Sequence, residues 1–120
     1  MDLSLKPSEG LGVLHLFCKY QSSVDSGEVK KTVSETLDKG LQVVVAVILG
    51  HKADLALMVL GEDLWDLRDF QSSVDSAGLK VVDSYFSLTE ISEYAAGVPE
   101  EMKQARLYPK LPRENKTAWC

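Results

Sequence analysis

The sequence has few cysteines, no block of basic residues and no long apolar run. Two cysteines in 120 residues, with no basic-then-apolar order at the amino terminus, predict a protein of the reducing cytoplasm without a disulfide framework. The net charge is −5 and the lysines and arginines are scattered, so the basic surface of a nucleic-acid-binding protein is missing. The longest nearly uninterrupted apolar run, residues 41–49, is about half as long as a membrane span.

Motifs for metal, nucleophile and phosphate sites are also missing. The chain contains no CxxC, no HExxH and no glycine-rich phosphate loop. His15 and Cys18 are three residues apart on a predicted strand, so their side chains point to opposite faces. Cys120 has no visible base that could activate it as a nucleophile. We therefore expect no catalytic residue and no metal site built wholly from this chain.

Apolar periodicity and boundary residues predict alternating strands and helices. Val29, Val33 and Leu37 recur at helical spacing between capping residues and a terminal glycine. The predicted elements are strands at 11–20, 41–49, 55–60 and from 79 onwards, and helices within 22–40 and 64–78. The last strand begins the segment 79–94, whose later part, from Glu90, is either an extended arm or a short turn. The order β-α-β-β-α-β indicates an α+β, ferredoxin-like fold with both helices on one face of an antiparallel sheet.

The predicted strand at 41–49 is apolar on both faces. Val43, Val45 and Val47 would point to one side, and Val44 and Ala46 to the other. A sheet with one solvated face alternates apolar with polar residues, and two helices cover only one side. We therefore infer that a partner subunit or a second domain covers the other face.

Two groups of polar residues each allow a reactive and a structural interpretation. His51 and Asp54, in the GHKAD segment 50–54, suggest an acid/base pair, but a solvated turn between two buried strands is favoured. A solvated acidic face is likewise favoured over paired catalytic carboxylates for Glu90, Glu93, Glu100 and Glu101. The repeated hexapeptide QSSVDS opens one predicted helix at 21–26 and ends the other at 71–76, so no internal duplication is inferred.

Arg106 stands beside Tyr108 and Pro109 in the segment ARLYP. Its guanidinium is suited to binding a ligand carboxylate through two parallel hydrogen bonds. Pairing with a nearby glutamate is an equally good interpretation of the same residue.

Three segments together resemble one family. GHKADLALMVL, VDSYFSLTEISEY and ARLYPKLP are similar to the amino-terminal half of the haem-dependent chlorite dismutase-like family, and within it to the coproheme decarboxylases. The resemblance implies half of a dimeric α+β barrel, in which two ferredoxin-like halves pack sheet to sheet and the intact protein is a homo-oligomer, usually a pentamer. The domain would cover 11–94, after a polar lead-in at 1–10. Residues 95–120 would form a linker running into the first strand of an absent second domain.

The resemblance also implies a cofactor and site residues. Arg106 matches the family arginine that contacts a porphyrin propionate, and Tyr94 and Tyr108 are weaker candidates for hydrogen bonds to the same groups. His51 matches a residue that is not the iron ligand. The intact protein would carry haem or coproheme, whose iron ligand lies in the second half, so stable binding and activity are not expected of this chain alone.

Three functions remain open at this point. The first is the amino-terminal half of a coproheme decarboxylase, which removes carboxyl groups from coproheme propionates with peroxide to give haem b. The second is chlorite dismutase or haem peroxidase activity in the same family. The third is a non-enzymatic ferredoxin-like module that dimerises or binds a ligand through its open sheet face.

Overall fold

A computed structural model describes residues 4–50, 52–89 and 99–110. The elements are β1 Gly12–Tyr20, α1 Ser26–Asp38, β2 Gln42–Val47, β3 Leu55–Gly61, α2 Leu64–Ser76, β4 Leu79–Leu88 and α3 Glu100–Leu107. The elements from β1 to β4 confirm the predicted β-α-β-β-α-β order. Among the described residues, no helix has the length and hydropathy of a membrane span.

The helix boundaries follow from local side-chain chemistry. The Asp25 carboxylate accepts hydrogen bonds from the Gly27 and Glu28 amides at the start of α1, and Asp63 accepts one from the Trp65 amide at the start of α2. Both α1 and α2 are followed by a glycine with a positive φ, Gly40 and Gly78. The first QSSVDS copy leads into α1 and the second ends α2, as predicted.

The sheet has the strand order β2-β3-β1-β4, and every neighbouring pair is antiparallel. This order places β1 and β3 in the centre and confirms the ferredoxin-like, α+β fold. Both helices pack on one face. The core between them and the sheet contains these buried side chains: Leu14, Leu16, Cys18, Leu41, Val43, Leu55, Leu57, Val59, Leu67, Phe70, Val74 and Leu79.

The opposite side of the sheet, here called the open face, is not covered by α1 or α2. The strand register sets Val44, Met58, His15 and Tyr85 side by side across it. The His15 and Tyr85 ring centroids are 6.0 Å apart. The His15 Nδ1 atom is buried and has no hydrogen-bond partner among the described residues. The sheet therefore carries apolar side chains on both faces, as the sequence of β2 predicted.

Helix α3 was not predicted, because the sequence suggested only a charged linker from residue 95 onwards. Its first residue follows Pro99, which makes no side-chain capping hydrogen bond. Among the α3 residues whose side chains are described, only Leu107 is buried, so the apolar stripe that identifies a longer helix is missing. The last strand, predicted to begin at residue 79, spans Leu79–Leu88; the predicted arm or turn from Glu90 lies outside the described ranges.

Candidate functional site

The carboxyl end of α3 lies against the end of the sheet where β2 begins. Leu107 is buried there. The Gln42 side-chain amide donates a hydrogen bond to the Pro109 carbonyl, and Gln42 pairs with Leu60 across β2 and β3. The ARLYP segment is therefore attached to one edge of the open face, next to the small apolar cluster of Leu11, Val13 and Leu60.

Tyr108 is held through its hydroxyl oxygen. The Gly10 amide donates a hydrogen bond to that oxygen at 3.1 Å, and the side chain remains 37% exposed. A phenol oxygen that accepts one hydrogen bond still has its own hydrogen to donate. Tyr108 can therefore be fixed to the sheet and also donate to a ligand carboxylate.

Thr89 connects β1 with α3. Its hydroxyl accepts a hydrogen bond from the Leu11 amide at 2.8 Å and donates one to the Leu107 carbonyl at 2.6 Å. Its own amide donates to the Leu11 carbonyl at 2.9 Å. One side chain thus bonds to two segments that are far apart in the sequence.

A cleft of about 460 Å³ opens beside this segment. One wall consists of Tyr108, Pro109 and Lys110, and another of the chain entering β2. Its charged side chains have both signs: Lys6, Lys39 and Lys110 against Glu62, Asp63 and Asp66. Asp63 already caps α2 and accepts a hydrogen bond from the Leu5 amide. The lysines give this cleft groups that can bind anions, and Tyr108 adds a neutral donor.

The structure places the predicted site residues as follows. Tyr108 reaches the cleft. Arg106 belongs to α3, two residues before Tyr108, and the position of its side chain is not described. Tyr94 and His51 lie outside the described residues, so no spatial relation between Arg106, Tyr94 and Tyr108 is established.

Asp54 has a structural role in the turn after β2. Its carboxylate accepts a hydrogen bond from the Tyr20 amide at 3.0 Å. Its backbone donates to the Cys18 carbonyl at 2.8 Å and accepts from the Ile48 amide at 3.1 Å. These bonds tie the GHKAD turn to β1, which supports the structural interpretation of Asp54.

The described acidic residues of the carboxyl-terminal segment are solvated. Glu100 and Glu101 are exposed in the first turn of α3. Negative side chains at this position stabilise a helix through its dipole. The Gln104 side chain donates to Glu100 at 3.2 Å. Glu90 and Glu93 lie outside the described residues.

The described residues that line the cleft include neither a histidine nor a cysteine, which are common ligands of haem iron. Among the described residues no cluster of histidine, cysteine and acidic side chains could hold a metal ion. Cys18 is buried in the helix-side core, and this burial raises the pKa of its thiol to about 11, which disfavours the thiolate.

Thr89 and Gln42 were missed as anchoring residues by sequence reasoning. Their partners at the carboxyl end of α3 are 18 and 67 residues away, so no local spacing could have identified the pairs. The available signals were weak: Gln42 is the polar first residue of an otherwise apolar strand, β2, and Thr89 directly follows β4.

Comparisons with known proteins give a consistent picture. The family model described as Chlorite dismutase matches residues 23–119. A coproheme decarboxylase from Staphylococcus carnosus (strain TM300) is 34% identical over 80 residues, which cover 57% of this chain and 31% of that protein.

Two solved structures share the fold at 20% identity. A haem-binding protein from Thermus thermophilus gives a TM-score of 0.64 over 87% of this chain and 51% of that one. A mutant chlorite dismutase from Candidatus Nitrospira defluvii gives 0.55 over 81% and 47%. The chain thus spans about half the length of these structures and less than a third of the decarboxylase.

Proposed function

Because this chain belongs to the chlorite dismutase family, we propose that it is the amino-terminal half of a haem-dependent oxidoreductase of the coproheme decarboxylase type. The reaction proposed for the intact protein is the peroxide-driven removal of carboxyl groups from coproheme propionates, which yields haem b. The identity to a coproheme decarboxylase supports this choice of substrate. The role that we propose for this half is contact with the carboxylate groups of the porphyrin, which the lysines and Tyr108 that line the cleft support.

The observation that carries the proposal is the anchoring of the ARLYP segment at the cleft. The Gly10 amide donates a hydrogen bond to the Tyr108 hydroxyl, and the Gln42 side chain donates one to the Pro109 carbonyl. The end of the ARLYP segment is therefore bonded both to the residues before β1 and to the start of β2. We propose that Arg106 binds a propionate through its guanidinium and that Tyr108 donates its remaining hydrogen to the same carboxylate. Tyr94 is proposed as a further donor.

We also propose how the intact protein is assembled. The open face would be covered by a second ferredoxin-like half or by another subunit, and the whole would form a homo-oligomer such as the family pentamer, in the cytoplasm. The apolar side chains across the open face support a covered surface. The orphan Nδ1 atom of His15 adds a polar group that a covering partner could satisfy.

The test uses the protein as its host expresses it. Coproheme affinity is measured by absorption titration for the natural protein, Arg106→Gln and Tyr108→Phe. Each variant is expected to bind about tenfold more weakly or worse, the effect of losing one hydrogen bond to a charged group. Lys103→Gln, on the same helix, and Tyr20→Phe, at the far end of β1, are the matched controls and should leave the affinity unchanged.

Product analysis then identifies the reaction. Coproheme and hydrogen peroxide are expected to give decarboxylated porphyrin, detected by mass spectrometry. Oxygen release from chlorite without decarboxylated product would instead favour chlorite dismutase. The isolated 120-residue chain is expected to give no product. Turnover by this chain would contradict the proposal that the iron ligand lies in a second half. Unchanged affinity in both site variants would refute the propionate contact.

A further inference from the structure

The Thr89 hydroxyl donates a hydrogen bond to the carboxyl end of α3 and accepts one from Leu11, the residue before β1. Its Oγ1 atom lies 2.6 Å from the Leu107 carbonyl and 3.5 Å from the Leu11 carbonyl. The shorter distance assigns the hydrogen to Leu107. The oxygen accepts from the Leu11 amide at 2.8 Å. A valine, which has nearly the same shape, would leave both backbone groups without this partner.

Gly10, the residue before Leu11, makes a second link to the carboxyl end of α3. Its amide donates to the Tyr108 hydroxyl, and its φ of +75° favours glycine. A Cβ atom built at this position would overlap the Thr89 Oγ1 atom, so Gly10 and Thr89 are in close contact. Tyr108 therefore bonds directly to Gly10, and Leu107 is linked to Leu11 through the Thr89 hydroxyl.

Helix α3 has few other described attachments. Its N-cap makes no side-chain hydrogen bond, and Met102 is 50% exposed. Among its described side chains, Leu107 is the buried one. A short helix with one buried side chain is marginal by itself, so the hydrogen bonds at its carboxyl end decide where it lies.

We propose that Thr89 is a positioning residue, whose hydroxyl sets the place of the carboxyl end of α3 and so aligns Arg106 and Tyr108 for a carboxylate ligand. The positional part of this inference stands on the contacts of Thr89 alone. Its consequence for ligand binding rests on the proposed function. The two parts are tested separately.

The positional test is amide hydrogen exchange on the protein as its host expresses it, followed by mass spectrometry with fragmentation that resolves single amides. Thr89→Val is expected to accelerate exchange at the Gly10 and Leu11 amides by about two- to tenfold more than in the β2–β3 ladder, the range for one hydrogen bond. Thr89→Ser, which keeps the hydroxyl, should restore protection. Thr36→Val is the matched control, because the Thr36 hydroxyl also bonds to a carbonyl, that of Thr32, inside α1.

Three outcomes would overturn the positional role. The first is unchanged exchange at Gly10 and Leu11 in Thr89→Val. The second is an equal acceleration throughout the sheet, as Thr36→Val would give, since this would make Thr89 merely stabilising. The third is failure of Thr89→Ser to restore protection.

The functional test is a double-mutant cycle on coproheme affinity, with the protein as its host expresses it. Thr89→Val should weaken binding in the natural background and have little further effect in Arg106→Gln/Tyr108→Phe, because the groups that it aligns are gone. Equal effects in both backgrounds would contradict alignment. If the natural protein binds no coproheme, the proposed function fails, whereas the exchange result on Thr89 stands.

Discussion

Cys18 lies between the sheet and the helices, where the apolar surroundings raise the pKa of its thiol from the ordinary 9.0 to about 11. The unfolded chain therefore loses this proton at lower pH than the folded chain does. Stability contributed by the neutral thiol is fully present below pH 9 and is lost as the pH rises towards 11.

The corresponding prediction concerns alkaline unfolding. The free energy of unfolding of the natural chain should fall more steeply between pH 9 and 11 than that of Cys18→Ala, although the variant is less stable at neutral pH because it leaves a small cavity. Urea unfolding at several pH values measures both slopes. All other residues are the same in both proteins, so the difference between the slopes isolates Cys18. Parallel slopes would show that burial does not shift this thiol.

Asp54 shows how a reactive-looking residue can be structural. Its carboxylate bonds to the Tyr20 amide, which lies at an exposed end of β1. Asp54→Ala is expected to lower the free energy of unfolding by about 1 kcal/mol, the usual contribution of one such hydrogen bond. Lys52→Ala, at an exposed position in the same turn, should have almost no effect. Urea unfolding compares the two variants, and equal losses would mean that Asp54 contributes nothing beyond its neighbour.

At the scale of single elements, the features that could be predicted are those that depend only on residues close together in the sequence. Strand and helix identities from β1 to β4 follow from periodicity and capping residues. Helix α3 was missed because its position depends on Thr89 and Gln42, far away in the sequence. The same distinction holds for the candidate site: Tyr108 was proposed from the family resemblance and stays a prediction, whereas the residues that hold its segment could be found only in three dimensions.

The glycines that end α1 and α2 provide a matched pair for measuring contact between elements. Gly40 and Gly78 share a φ of +93°, but a Cβ atom at Gly40 would meet nothing within 4 Å, while one at Gly78 would lie 2.6 Å from the Val24 Cα atom. Gly40→Ala should cost about 1–2 kcal/mol for the left-handed backbone alone. Gly78→Ala should cost about 1–3 kcal/mol more, because the backbone before α1 must move.

Thermal or urea unfolding of both alanine variants measures this difference directly. Similar losses would indicate that the end of α2 and the start of α1 can separate without penalty. That result would also make the hydrogen bond from the Asp25 amide to the Ala77 carbonyl a minor contact.

At the scale of the whole molecule, the open face and the length of the chain have to be considered together. The sheet carries apolar residues on both sides, while α1 and α2 cover only one. The chain corresponds to about half of the solved structures that share its fold. Among the described residues of this face, Tyr85 is 63% exposed, and exposed apolar surface favours association.

We therefore predict that the isolated 120-residue chain self-associates through the open face. Met58 lies near the centre of this face, between Val44 and His15, so Met58→Asp places an unpaired charge where apolar surface would be buried. Light scattering over a range of concentrations should show a mass that rises with concentration for the natural chain and stays monomeric for Met58→Asp.

Trp65→Asp is the control, because Trp65 is 54% exposed on α2 and its replacement should not alter the mass. A natural chain that stays monomeric at all concentrations would mean that the open face is stable in contact with water. The inference that a partner covers it would then be wrong.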